Sequence, residues 1–202
     1  DVIKRHDSTY YICGETRSQG AGEKDAYLIQ IDDSGLLMNE WVYGYDLDDV
    51  FYNLKEASDS SLYLVGETNS LQDSTNIFLV KLDVNSNGVY ENQYGSAKFD
   101  IAYQLDIMQN GDLVMAGSSN SHTNREDIDI LYYRFANNGD SLFSKSFASS
   151  FDPGVLNDDT DEGTSILALN DGSVLNAGYT KTYGFGIDKL ALDQLSANNN
   201  SL

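Results

Sequence analysis

One short segment occurs four times in the chain. Its copies are Tyr11-Ile12-Cys13-Gly14-Glu15-Thr16, Tyr63-Leu64-Val65-Gly66-Glu67-Thr68, Val114-Met115-Ala116-Gly117-Ser118-Ser119 and Leu175-Asn176-Ala177-Gly178-Tyr179-Thr180. The glycines stand 52, 51 and 61 residues apart. A chain of equivalent units near this length folds as an array, each unit burying apolar surface against its neighbours. The longest interval holds an inserted loop, Ser149 to Asp161, with the only proline, Pro153.

Each unit reads as four short strands. The first is Asp49-Val50-Phe51-Tyr52-Asn53-Leu54, matched by Asp100-Ile101-Ala102-Tyr103-Gln104-Leu105. Turns follow at Asp7-Ser8-Thr9, Asp59-Ser60-Ser61, Asn110-Gly111-Asp112 and Asp171-Gly172-Ser173. Asn-Gly and Asp-Gly there predict hairpins with positive φ at both central residues. The glycine segment is the second strand. The third is Ala26 to Ile31, Ile77 to Leu82 and Ile130 to Phe135, apolar enough to be covered on both faces. The fourth is Leu37 to Tyr43, Val89 to Tyr94 and Ser141 to Phe147.

The expectation is therefore an all-β fold, a β-propeller-like array of four-stranded antiparallel blades with about four repeats. Residues 1–202 read as a single repeat domain with units near 1–45, 46–96, 97–149 and 161–195, an inserted loop at 149–161 and a polar tail at 196–202. The first unit lacks most of its opening strand, and the last has no clear fourth strand. The chain opens in mid-pattern at Asp1-Val2-Ile3-Lys4, which reads as a mature or excised segment.

Thirty-two acidic residues against 12 basic ones leave a net charge of −20. Such a field repels nucleic-acid phosphate and anionic membrane surfaces and favours cations, Ca²⁺ above all. No apolar stretch reaches the roughly 20 residues that span a bilayer. One cysteine, Cys13, excludes an internal disulfide. It aligns with Val65, Ala116 and Ala177, which makes it a small core residue.

The unit as a whole runs Asp-x-x-Tyr-x-Leu, an Asn-Gly-Asp turn, Val-x-x-Ala-Gly-x-Ser, a polar loop, Asp-x-x-Leu-x-x-Leu-Asp, Gly and Tyr-Gly. It resembles bacterial β-propeller repeats of the SBBP/delta-60 type, over residues 1 to about 195. That resemblance implies a secreted or cell-surface protein of the Bacteroidetes, often cargo of the type 9 secretion system. It implies a scaffold or binding role and carries over no catalytic residues. The fourth unit departs most, with Asp188 where an apolar strand residue is expected.

Asp83-Val84-Asn85-Ser86-Asn87-Gly88 matches the first half of a calcium loop, alternate oxygens followed by a glycine. Asp83, Asn85, Asn87 and Glu91 are its candidate ligands, without the closing bidentate Glu, because Tyr94 stands there. The same residues also make an Asn/Gly-rich hairpin turn, so both readings stay open. Asp158-Asp159-Thr160-Asp161-Glu162-Gly163 reads as a solvated acidic loop or a second cation site. Asp25, Asp49, Asp100, Asp129 and Asp161 read as caps of turns at strand starts. Glu15 and Glu67 occupy one variable surface position. His6 and His122 have no repeat-equivalent partner, and no catalytic motif is present. Nothing singles out a carboxylate pair for glycoside hydrolysis.

The sequence thus suggests a non-enzymatic, extracellular or cell-surface binding or scaffold module engaging a protein partner. Its loops Arg17 to Lys24, Asn69 to Thr75, Asn120 to Glu126 and Lys181 to Gly186 would form one face. The alternative is a carbohydrate-binding or carbohydrate-active protein on the same scaffold, with Trp41 and the tyrosines as a sugar platform if exposed. Assembly through an edge strand, at the N-terminus or at Leu190 to Leu195, is a further expectation.

Overall fold

The structure is a computed structural model. It describes residues 1–70, 74–96, 98–121, 128–147 and 160–180, with the backbone of 189–195. Every regular element among these is a β-strand.

The strands form four antiparallel sheets. Sheet 1 holds β1 (Val2–Lys4), β2 (Tyr10–Thr16), β3 (Asp25–Ile31) and β4 (Leu37–Tyr43). Sheet 2 holds β5 (Asp49–Glu56), β6 (Leu62–Thr68), β7 (Asn76–Leu82) and β8 (Gly88–Tyr94). Sheet 3 holds β9 (Asp100–Ile107), β10 (Leu113–Ser119), β11 (Asp129–Phe135) and β12 (Ser141–Phe147). Sheet 4 holds β13 (Asp161–Ala168), β14 (Val174–Thr180) and β15 (Lys189–Leu195). In each sheet the strands pair in chain order, as short local hairpins dictate. The chain divides into two compact units, Asp1–Ala97 with sheets 1 and 2, and Lys98–Leu202 with sheets 3 and 4.

Among the described residues seven hairpins share one turn. In each, the first residue's N–H bonds the carbonyl four residues on, and its carbonyl accepts from the N–H three residues on, as at Ala57, Ser60 and Ser61. This is a type I turn closed by one residue of positive φ. That residue is Ser8, Gly35, Ser60, Ser86, Gly111, Gly139 or Gly172. The expectation of two positive-φ residues at Asn-Gly and Asp-Gly is corrected: Asn110 and Asp171 keep negative φ. Their side chains accept the N–H two residues on instead, at 3.1 and 2.9 Å.

The recurring glycine answers to a bulge. Opposite Gly66, Gly117 and Gly178 the first strand carries an extra residue, at Tyr52, Tyr103 and Thr164. The kinked strand drives a carbonyl oxygen (Val50, Ile101 or Glu162) to 1.8 Å from where a Cβ would stand. Only glycine tolerates that approach.

In the N-terminal unit Tyr11, Cys13, Ala26 and Leu28 of sheet 1 pack on Phe51, Leu54, Leu62, Leu64, Phe78, Val80 and Leu82 of sheet 2. Cys13 is a free, buried thiol in this core, as its alignment suggests, and burial pushes its pKa up. In the C-terminal unit Met108, Val114, Ala116 and Tyr132 pack on Ile166 and Val174. Here side chains of β9 cover the free edge of β13: Gln104 accepts the Ile166 N–H at 2.9 Å, and Asp106 accepts the Ala168 N–H at 2.8 Å. Asp1 does the same for β5, accepting the Leu54 N–H at 3.4 Å and the Asn53 side-chain amide at 2.7 Å. An edge so occupied is not open to another strand.

Candidate functional site

A cleft of about 430 Å³ opens in the N-terminal unit between the β1–β2 turn, the start of β4 and the β7–β8 turn. Its lining combines aromatic rings (Tyr11, Trp41), amides (Gln30, Asn39, Asn85, Asn87) and the charged groups of Arg5 and Asp7. The period-2 geometry of β2 and β4 sends Tyr11 and Trp41 to the face shared with sheet 2, where they stack with centroids 6.0 Å apart. The Tyr11 hydroxyl bonds Ser86 Oγ at 2.8 Å, tying sheet 1 to the β7–β8 turn.

Arg5 is held from several sides. Its Nε donates to Glu56 at 2.9 Å, and Nη2 donates to the Ser60 carbonyl at 3.0 Å. The guanidinium lies over the Tyr11 ring, 5.4 Å from its centroid. Asp7 is the one carboxylate among the lining residues. The N–H and hydroxyl of Thr9 hold its carboxyl below the usual range. Asn39 Nδ2 donates to Gln30 Oε1 at 2.9 Å, leaving further donor and acceptor capacity on that rim.

The candidate calcium ligands separate into two groups. Asp83 Oδ1 accepts the N–H of Asn85 and of Asn87, both at 2.8 Å, and Oδ2 accepts Asn87 Nδ2 at 3.0 Å. Those bonds hold the Asp83 carboxyl below its ordinary value. Glu91 lies along β8 opposite Val80, where its charge bears on Tyr43. Burial and that charge push Tyr43 up to about 12. Asn85 and Asn87 line the cleft. No group of three or more His, Cys, Asp or Glu placed to hold a metal occurs among the described residues.

The strand-start aspartates Asp25, Asp49, Asp100, Asp129 and Asp161 are buried, and Asp49 and Asp25 cap turns. Asp49 accepts the Tyr45 N–H at 2.8 Å and the Ser70 hydroxyl at 3.0 Å; Asp25 accepts the N–H groups of Ala21 and Gly22. Burial pushes Asp49 up against these bonds. Glu67 departs from the surface expectation: it is half-buried, burial raises its pKa, and Tyr52 donates to it at 3.0 Å. Glu15 is exposed and pairs with Lys24 at 3.5 Å. Asp161 is buried at the start of β13. Asp158, Asp159, His122 and most of the later loops lie outside the described residues.

No family model matches the chain, and no curated protein matches it. A solved structure does: the endo-arabinase from Bacteroides thetaiotaomicron, at 12% identity and a TM-score of 0.55, covering 98% of this chain and 75% of that one. At that identity the likeness speaks for the fold. It also corrects one expectation. An enzyme carries a fold that spans nearly all of this chain, so a repeat architecture is no ground for reading the chain as non-enzymatic.

Proposed function

We propose that the chain is a carbohydrate-binding or carbohydrate-active protein on a propeller-like array, taking a neutral saccharide in the cleft beside Trp41. The observation that carries this is the lining itself, the half-buried Trp41 ring with the buried Tyr11 and Arg5 behind it, rimmed by four amides and Asp7. The open part of the Trp41 ring supplies apolar area for the C–H face of a sugar, and amides match its hydroxyls. A net charge of −20 disfavours uronic and sulfated glycans. The likeness to an endo-arabinase supports the same class, and with it the propeller-like arrangement of the four sheets. An extracellular or cell-surface setting accords with this reading and with the repeat resemblance.

Affinity electrophoresis against soluble polysaccharides, arabinan among them, tests it. Retardation by a neutral glycan is expected, weakened by Trp41→Ala and by Asn39→Ala. Asn39 is exposed, so its variant keeps the fold. Retardation by no glycan, or only by acidic ones, would overturn the assignment. Reducing-sugar release from the retained glycan measures hydrolysis, for which a retaining or inverting site takes two carboxylates.

A further inference from the structure

The C-terminal unit carries a cleft of its own. It encloses about 330 Å³ between the β9–β10 turn and the β13–β14 turn, with Met108, Gln109, Asn110, Arg134, Asn170 and Asp171 on its walls. None of these residues lines the cleft beside Trp41. Each cleft nonetheless lies at the end of a sheet where the first two strands turn. The bonds that close Arg5–Thr9 and Met108–Asp112 alike put Asn110 at the position of Asp7. Arg134 stands sixth in the seven-residue β11, as Gln30 does in β3.

Arg134 gives this cleft its strongest donor. Its Nε and Nη2 donate to Asp112 Oδ2 at 3.0 and 2.6 Å, and Asn110 Nδ2 donates to the same oxygen at 2.8 Å. A planar guanidinium held through two nitrogens is fixed in orientation. The third nitrogen, Nη1, carries two N–H groups and makes no hydrogen bond among the described residues. Across the cleft Gln109 Nε2 donates to Asn170 Oδ1 at 3.2 Å, tying the two turns together. That bond leaves Gln109 Oε1 to accept and Asn170 Nδ2 to donate. Both residues are exposed, while Met108 is buried behind them.

This set of groups selects a class of ligand. Asp112 offsets the charge of Arg134, and Asp171 keeps its own carboxylate on the rim, bonded by the Ser173 N–H and hydroxyl. An anion is therefore repelled, and the Nη1 donors oppose a cation. A neutral molecule with closely spaced hydroxyls fits, because each hydroxyl accepts from one of these groups and donates to another.

We propose that this cleft is a second neutral-saccharide site, reading sugar hydroxyls through Arg134 Nη1, Gln109 and Asn170. The proposal rests on the saccharide reading of the cleft beside Trp41. Among the described residues on its walls there is no aromatic ring, so it is the weaker of the two sites. Two such sites let one protein hold two sugar residues at once.

Affinity electrophoresis of the full chain in soluble arabinan, arabinoxylan and galactomannan separates the sites. Trp41→Ala should keep a residual retardation by whichever glycan retards the parent. Adding Gln109→Ala and Asn170→Ala should abolish that residue, and the same pair in the parent should lower retardation without abolishing it. Trp41 packs on the core, so Asn39→Ala with Asn85→Ala serves as a second way to weaken the first cleft. NMR of side-chain N–H groups, titrated with oligosaccharides of the retained glycan, should show the Asn170 amide and the Arg134 guanidinium shifting. Residual retardation indifferent to the Gln109 and Asn170 changes overturns the proposal. Retardation that Trp41→Ala removes entirely, with those resonances unmoved, overturns the second site and leaves the saccharide reading standing. Retardation of the parent by none of the glycans overturns both.

Discussion

The carbonyl oxygen of Ile101 stands 1.8 Å from the point that a Cβ on Gly117 would occupy. The side chain cannot be accommodated by rotating a flexible neighbour, because the obstacle is backbone in a bulged strand that also carries Asp100. Gly117→Ala should therefore unfold the bulge and cost about 3 kcal/mol or more. Gly14→Ala, at the equivalent position with open space, should change stability by less than about 1 kcal/mol. Urea unfolding of the two variants measures the contrast, and equal losses would show that the glycine serves something other than the bulge.

Ser60 and Ser86 both close their turns at positive φ, 62° and 63°. An L-residue there carries a steric cost that glycine lacks. Ser60→Gly is expected to stabilise by about 0.5 kcal/mol. Ser86→Gly relieves the same cost but loses the buried bond to Tyr11 and should be neutral or destabilising. Thermal midpoints of the two variants moving in parallel would contradict this account.

Asn176 is buried at 1% exposure, with neither its amide nitrogen nor its oxygen hydrogen-bonded. The equivalent residues of sheets 2 and 3 are Leu64 and Met115, fully buried and apolar. Asn176→Leu removes the uncompensated desolvation and should stabilise by about 1–2 kcal/mol. A loss on chemical denaturation would mean that the amide is satisfied in solution.

Two sets of carboxylates oppose each other in the pH profile. Asp7, Asp32, Asp59, Asp83 and Asp171 are lowered by turn hydrogen bonds, chiefly from hydroxyls, amides and N–H groups two to four residues on. Their contribution is present above the unfolded value of about 4 and is lost as pH falls through the lowered folded values. Asp49, Glu67 and Glu91 are raised by burial. Their contribution is full below about pH 4 and is lost as pH rises through the raised folded values. Stability should therefore increase from pH 7 down towards about 4 and fall below that. Glu67→Gln should flatten the upper limb in urea midpoints taken across this range, and an unchanged limb would clear Glu67 of the effect.

Asp83 anchors its turn with bonds from Asn85 and Asn87. Asp83→Ala should lower the thermal midpoint through loss of that anchor. The drop is expected to be the same with added Ca²⁺ and with EDTA. A calcium-dependent rise in the parent chain that Asp83→Ala abolishes would instead make the turn a metal loop.

The repeat, the four-strand plan and the turn positions were legible in the sequence because they rest on local chemistry: alternation, Asx-Gly pairs and a glycine returning near every 50 residues. Even the strand-start aspartates could be read as caps from their place beside turns. The single positive-φ residue in each turn was not legible, since Asn-Gly is compatible with two turn types and only the bonds of the closed hairpin choose between them. The cleft was less so. Arg5 and Tyr11, Trp41, and Asn87 come from three separate stretches of the chain, and each taken alone reads as a strand or turn residue. Their convergence needed the packing of sheet 1 on sheet 2, which sets which face of β2 and β4 turns inward. Local sequence determined the elements and their hairpin register. Tertiary packing decided which side chains meet, because burial of the apolar faces selects one docking of the sheets and the polar residues at its rim are carried along.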